Sequence, residues 1–214
     1  MPRPTVTDIE ALAETIGGMR GAATAASGRL LVGIAGAPGA GKSTVAAALT
    51  ASLPGSVVLP MDGFHLPQAQ LVALGRRGRM GAPDTFDVDG FVALLRRLRE
   101  PASAGEVVLA PGFDRTIEEP IPDAIALAPE HPIVIVEGNY LLLESDGWAP
   151  IVGLLDLRVG LVVDDAVRRE RLIARHIAFG KSADAATAWT LGPDERNAVA
   201  IAATLDRADV VLVL

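Results

Sequence analysis

Gly36-Ala37-Pro38-Gly39-Ala40-Gly41-Lys42-Ser43 is an uninterrupted Gly-x-x-x-x-Gly-Lys-Ser pattern, and its neighbours decide how it is read. The apolar run Leu30-Leu31-Val32-Gly33-Ile34-Ala35 precedes it and reads as a buried strand, while the Ala-rich stretch from Thr44 to Leu53 follows it and reads as a helix. The glycines therefore fall at a strand-to-helix turn, the setting of a phosphate-cradling P-loop. Gly36, Gly39 and Gly41 are expected to adopt φ > 0, so that Gly36, Ala37, Pro38, Gly39, Ala40 and Gly41 wrap backbone around a polyphosphate. A helix starting near Lys42 adds its positive dipole end. In such a loop Lys42 reaches the β and γ phosphates, Ser43 supplies a hydroxyl to magnesium, and Thr44 is a reserve hydroxyl; ATP and Mg2+ are the expected cofactors. Gly180-Lys181-Ser182 repeats the last three letters but is not a second loop, because Arg175 stands where the first glycine belongs and no strand precedes it.

A chain of 214 residues with 50% hydrophobic content has material for one substantial core, and residues 1–214 read as a single domain in which residues 1–28 supply an N-terminal helix packed on the core. The net charge of −7 argues against nucleic acid and anionic membranes as partners. There is no cysteine, which excludes disulfides and thiolate metal sites and makes the cytoplasm the expected compartment. Residues 1–29 carry charges through their length rather than the apolar centre of a signal peptide, and no apolar stretch is long enough to span a bilayer. Only Lys42 and Lys181 among the nineteen basic residues are lysines, so the loop motif is not a by-product of a Lys-rich chain.

Along the chain, residues 7–26 have apolar positions at helical spacing with Gly17-Gly18 as the expected stop. Ser56–Pro60, Ile133–Val136, Leu155–Val163 and Asp209–Leu214 join the first run as strands, giving an α/β/α sandwich with a mainly parallel sheet of about five strands. In such sheets ligands bind beyond the carboxyl ends of the strands. Asp62 leaves the second strand at that rim, as a carboxylate able to accept a hydroxyl proton or to help hold magnesium. Glu137 ends the clearest buried strand in the manner of a Walker B acid, a magnesium ligand directly or through water.

Residues 67–83 carry Arg76, Arg77 and Arg79 among glycines and read as a short helix and then a mobile loop, either a solvated basic loop or one whose arginines close over an anionic substrate. Residues 106–128 hold two short β-like runs around Phe113-Asp114-Arg115, a substrate-side excursion. Asp164-Asp165 caps a helix on which Arg168, Arg171 and Arg175 share one face, either a solvated face ion-paired with Glu170 or, as in a P-loop kinase, a lid from which Arg171 or Arg175 stabilises the transferring phosphoryl group. His176 reads as structural. Candidate acceptor contacts are His65, Arg79, Phe113, Arg115 and Tyr140.

With Met61-Asp62-Gly63-Phe64-His65-Leu66-Pro67, Pro83-Asp84-Thr85-Phe86-Asp87, Ile135-Val136-Glu137-Gly138-Asn139-Tyr140 and Arg171-Leu172-Ile173-Ala174-Arg175-His176 added to the loop, residues 28–214 resemble the uridine kinase, phosphoribulokinase and bacterial pantothenate kinase superfamily, nearest to its nucleoside/nucleotide kinase-like branch labelled fructose transport system kinase. The resemblance implies a P-loop kinase fold, Lys42 and Ser43 on ATP and magnesium, Asp62 as catalytic base, Glu137 as the strand-end acid and Arg171 or Arg175 in the lid. Uridine kinases have Ser and Tyr where this chain has Gly63 and His65, and pantothenate kinases are longer, so the likeness reaches the reaction rather than the acceptor. The expected activity is transfer of the ATP γ-phosphoryl to a hydroxyl of a small metabolite such as a nucleoside, sugar or pantothenate-like compound, with a homodimer among the expected assemblies. The alternative is an ATP-dependent regulatory switch; a GTP-dependent one is disfavoured because the guanine-reading Asn-Lys-x-Asp sequence is absent.

Overall fold

The computed structural model describes residues 4–23, 28–101 and 105–214. Its strands are β1 (Thr5–Val6), β2 (Leu30–Gly36), β3 (Ser56–Pro60), β4 (Val108–Asp114), β5 (Glu119–Leu127), β6 (Ile133–Gly138), β7 (Leu157–Val162) and β8 (Val210–Val213). Its α-helices are α1 (Ile9–Ala23), α2 (Lys42–Ser52), α3 (Gln68–Ala73), α4 (Val88–Arg99), α5 (Asp165–Ala178), α6 (Ala183–Trp189) and α7 (Glu195–Ala202). Six strands form one sheet in the order β1-β8-β7-β2-β6-β3, every pairing parallel, while β4 and β5 form a separate antiparallel hairpin. The sixth strand, beyond the five legible in the sequence, is β1, whose two residues pair with Val211 and Leu212 and are too few to carry a period.

Helices cover both faces of the sheet, which is why β2 and β6 are apolar at nearly every position. Their alternation divides the core. Leu31, Ala35, Val134 and Val136 enter one cluster with α4 residues Phe91, Val92, Leu95 and Leu98. Leu30, Val32, Ile34, Ile133 and Ile135 enter the other with Leu12 and Ile16 of α1 and Val45, Ala46 and Leu49 of α2. Asp87 caps α4 by accepting from Gly90 N at 3.0 Å, and Asp164 caps α5 by accepting from Ala166 N at 2.8 Å.

Two local expectations change. Gly17-Gly18 does not stop α1, which runs on to Ala23; burying Leu12 and Ile16 against α2 contributes about 2 kcal/mol each, more than the ~1 kcal/mol that each helical glycine costs. Residues 24–26 of that predicted segment lie outside the described residues. The stretch 67–83 contains α3 and a 3-10 turn at Arg77–Arg79, and Arg76 and Arg79 both pair with Asp84. Among the described residues no helix is long and apolar enough to cross a membrane.

The sheet order puts β2 between β6 and β7, so the chain leaves its central strand at the point where successive connections diverge to opposite sides. That crevice beyond the strand carboxyl ends is where α/β sheets bind ligands.

Candidate active site

Gly39 and Gly41 have φ of 81° and 98°, and α2 starts immediately after them at Lys42. Gly36 departs from the expectation of positive φ. It remains in β2, and its hydrogen is needed for another reason: a Cβ there would stand 2.9 Å from the Leu161 carbonyl of β7. The Lys42 ammonium folds over the loop, donating to Gly36 O at 2.8 Å, Ala37 O at 3.1 Å and Asn139 Oδ1 at 2.6 Å. Ser43 Oγ donates to Glu137 Oε1 at 2.8 Å.

Glu137 arrives there by strand alternation. It shares parity with Ile133 and Ile135, the residues that face α2, whereas Tyr140 shares parity with Val134 and Val136 and points into the opposite cluster. Asp62 stands in the 3-10 turn Met61–Phe64 that follows β3, half-buried, with Oδ2 accepting from Arg115 Nη2 at 2.5 Å. Arg115 comes from the tip of the β4-β5 hairpin, which is held against the Asp62 turn by an approach that leaves no space for a side chain at Gly63: a Cβ would meet Pro111 O at 2.1 Å.

These groups line one cavity of about 320 Å³. Its P-loop end has Gly39, Gly41, Lys42, Ser43, Thr44 and Glu137, with Arg171 and Arg175 of α5 above. Arg171 Nη1 lies 3.6 Å from where a Gly41 Cβ would be. Its other end has Asp62, His65, Phe113 and Arg115, joined by Arg77, Glu118, Lys181 and Trp189.

Burial and mutual charge set the protonation of this cluster. Burial lowers Lys42 to about 8, although Glu137 and Asp62 both oppose the change. Burial and the neighbouring Asp62 charge push Glu137 up, against Lys42 and the Ser43 hydroxyl. Burial would push Asp62 up as well, but Arg115, His65, Lys42 and Arg175 outweigh it and hold Asp62 below the usual carboxylate range. His65, buried and stacked on Phe86 at 3.9 Å between ring centres, is lowered by desolvation, and its Nδ1 has no hydrogen-bond partner among the described residues.

Not all sequence candidates arrive at the cavity. Tyr140 is 1% exposed, packed with Phe86 and Trp148, and donates its hydroxyl to Gly81 O at 2.5 Å; it anchors the loop rather than facing a ligand. Arg79 is tied to Asp84 at 2.7 Å and is absent from the lining, while Arg77 takes that place. Arg168 is buried between Asp165 and Glu195, so the arginine row of α5 divides into one structural and two cavity-facing members. His176 pairs with Asp194 at 2.8 Å.

The cavity also takes Arg77, one of the three arginines of the 67–83 stretch, Lys181, which the sequence places only in a broken repeat of the loop motif, and Asn139 and Trp189, to which the sequence assigns no site role. Asn139 was recoverable, since period-two alternation from Glu137 points it the same way. Lys181 comes from the α5-α6 junction and Trp189 from the last position of α6, and no local pattern orients either.

Magnesium takes oxygen donors, commonly one or two carboxylates besides phosphate oxygens. Ser43 Oγ and the Glu137 carboxylate, with Asp62 on the same cavity, form such an incomplete all-oxygen set. Among the described residues no group of three or more His, Cys, Asp or Glu could hold a metal on its own, so the fit requires phosphate oxygens to complete it.

Residues 31–213 match the family model described as Phosphoribulokinase / Uridine kinase family. The ATP-dependent kinase-like protein notR' of Aspergillus versicolor is 41% identical over 133 residues, 60% of this chain and 77% of that protein. YggC of Escherichia coli (strain K12) is 36% identical over 175 residues, 79% of this chain and 71% of that protein. Among solved structures, the candidate fructose transport system kinase of Silicibacter sp. TM1040 superposes with a TM-score of 0.86 at 38% identity, over 96% of this chain and 99% of that one. YFH7 of Saccharomyces cerevisiae gives 0.85 at 19% identity over 97% and 99%, a likeness of fold. A P-loop at the head of a parallel sheet, a strand-end acid hydrogen-bonded to the loop serine, and a match over nearly the whole chain lead to one conclusion: the chain belongs to the phosphoribulokinase/uridine kinase family.

Proposed function

We propose that this protein, working as one domain, transfers the γ-phosphoryl group of ATP to a hydroxyl of a small-molecule acceptor. The observation that carries the reading is the convergence on one cavity of Lys42 and Ser43 from the loop, Glu137 from β6 and Asp62 from the turn after β3. The loop amides and the start of α2 take the phosphate chain. Lys42 exchanges its contacts with Gly36, Ala37 and Asn139 for phosphate oxygens, and Arg171 or Arg175 balances charge that grows on the transferring group. Ser43 and Glu137 would hold a magnesium ion, which would supply neutralisation of phosphate charge. At the other end Asp62 accepts the proton of the attacking hydroxyl, which becomes nucleophilic as the bond to phosphorus forms and the bond to the ADP oxygen breaks.

The family members' kinase names support the reaction class, and the acceptor is open to experiment. The test is ADP release across nucleosides, sugars, sugar phosphates and hydroxy acids, with Lys42→Ala as the blank. Acceptor-dependent ADP release that the blank lacks is the expected result. Release at one slow rate whatever is added would replace the kinase reading with an ATPase one.

A further inference from the structure

Resting on that reading, we infer that the acceptor carries an oxyanion, a carboxylate or a phosphate ester, close to the hydroxyl that is phosphorylated, and that Arg115, Arg77 and Lys181 form the subsite that selects it. The starting point is charge. In a chain of net charge −7, the cavity is lined by six cations and four carboxylates. The nucleotide accounts for Lys42, Arg171 and Arg175, and its magnesium for Glu137. His176 is paired with Asp194. What faces the acceptor is Arg115, Arg77 and Lys181 against Asp62 and Glu118, an excess of one positive charge. Both lysines of the chain line this one cavity.

The arrangement of the three cations is built rather than incidental. Glu118 Oε2 accepts from Arg77 Nη2 at 2.6 Å, and its Oε1 lies 3.9 Å from Lys181 Nζ. One carboxylate thus brings together α3's following turn, the hairpin tip and the α5-α6 junction. Glu118 holds φ of 52°, a conformation uncommon outside glycine, at the same tip that carries Arg115. Gln68 Oε1 fixes Arg77 from the other side, accepting from Nε at 2.5 Å. Lys181 Nζ lies over the Trp189 ring at 5.1 Å, which orients it without neutralising it.

Arg115 makes the argument specific. Its guanidinium donates to Asp62 Oδ2 at 2.5 Å, so this cation stands directly beside the carboxylate that meets the acceptor hydroxyl. A neutral acceptor leaves that pair intact. An acceptor bearing an oxyanion offers Arg115 a second partner, drawing the guanidinium from Asp62 and freeing the carboxylate at the moment the hydroxyl arrives. The side chain of Arg115 is 40% exposed, so the exchange requires no opening of the core.

The test is calorimetric titration of the full chain, saturated with magnesium and a non-hydrolysable ATP analogue so that the loop is filled. The ligands are two matched series: glycerol, glycerate and glycerol 3-phosphate, and ribose, ribonate and ribose 5-phosphate. At least one charged member is expected to bind about tenfold to a hundredfold more tightly than its uncharged parent, the scale of a charge-assisted contact. The carboxylate and phosphate arms distinguish the two sources of the oxyanion. Arg115→Ala and Lys181→Ala should erase most of that preference, Arg115→Lys should restore part of it, and affinity for the uncharged parent should hold. No preference for charge in either series, or a preference that Arg115→Ala leaves untouched, overturns the inference. Failure of the kinase reading looks different: the charged ligands would bind as stated, yet ATP would yield no phosphorylated product.

Discussion

Asp62 and Lys42 line one cavity, and the proposed function gives them different roles there, so their substitutions should separate. Asp62→Asn keeps the shape and removes the proton acceptor, so turnover is expected to fall by about 10²- to 10⁴-fold while ATP affinity measured by calorimetry stays within error. Lys42→Ala removes a charge on the phosphates themselves, and both affinity and turnover should fall. The lowered pKa of Lys42, about 8, gives a pH signature. Below that value the free protein carries the ammonium that the proposed function assigns to ATP capture, and above it the ammonium loses its proton. kcat/KM for ATP should therefore decline as pH rises through about 8, whereas kcat declines at higher pH, because bound phosphates favour the charged form. A kcat/KM profile flat to pH 9.5 would contradict the burial of Lys42.

At the scale of elements, the site depends on how closely the β4-β5 hairpin lies on the Asp62 turn. Gly63→Ala puts a methyl group 2.1 Å from Pro111 O, a backbone atom, with no flexible side chain to yield. The hairpin must retreat and carry Arg115 and Phe113 with it. The expected result is a stability loss of about 1–3 kcal/mol and a large loss of turnover, with ATP binding largely kept because the loop and β6 are undisturbed. Unfolding curves and nucleotide titrations of the same sample check both halves. How far the elements were legible follows from where their signals live. β2, β6 and the α2 start are written in local pattern and glycine spacing, so Lys42, Ser43 and Glu137 could be read as residues. The α5 arginines could be ranked by helical period only as a face, because which of Arg168, Arg171 and Arg175 is covered depends on Glu195 of α7. Tyr140 was misread for want of applying strand alternation one residue further, and Arg77 because choosing among three nearby arginines requires the position of Asp84.

For the whole molecule, two cores on opposite faces of one sheet hold the catalytic rim, with the loop helix on one and the acceptor elements on the other. Trp148 has no exposed surface and joins Phe86, Phe91 and Tyr140 beneath the acceptor side. Trp148→Ala is expected to cost about 3–5 kcal/mol of stability, read as a lowered midpoint in denaturant. Residual folded protein should be impaired in acceptor use more than in nucleotide binding, because Phe86 supports the His65 ring and Tyr140 anchors Gly81. The central claim concerns the fate of one phosphoryl group, and ATP labelled in its γ-phosphate follows it directly. With an acceptor found by the ADP-release screen, label should appear in an ester of the acceptor for the native chain and disappear from that ester for Asp62→Asn. Label recovered only as inorganic phosphate, or an ester formed equally well without Asp62, would contradict the account.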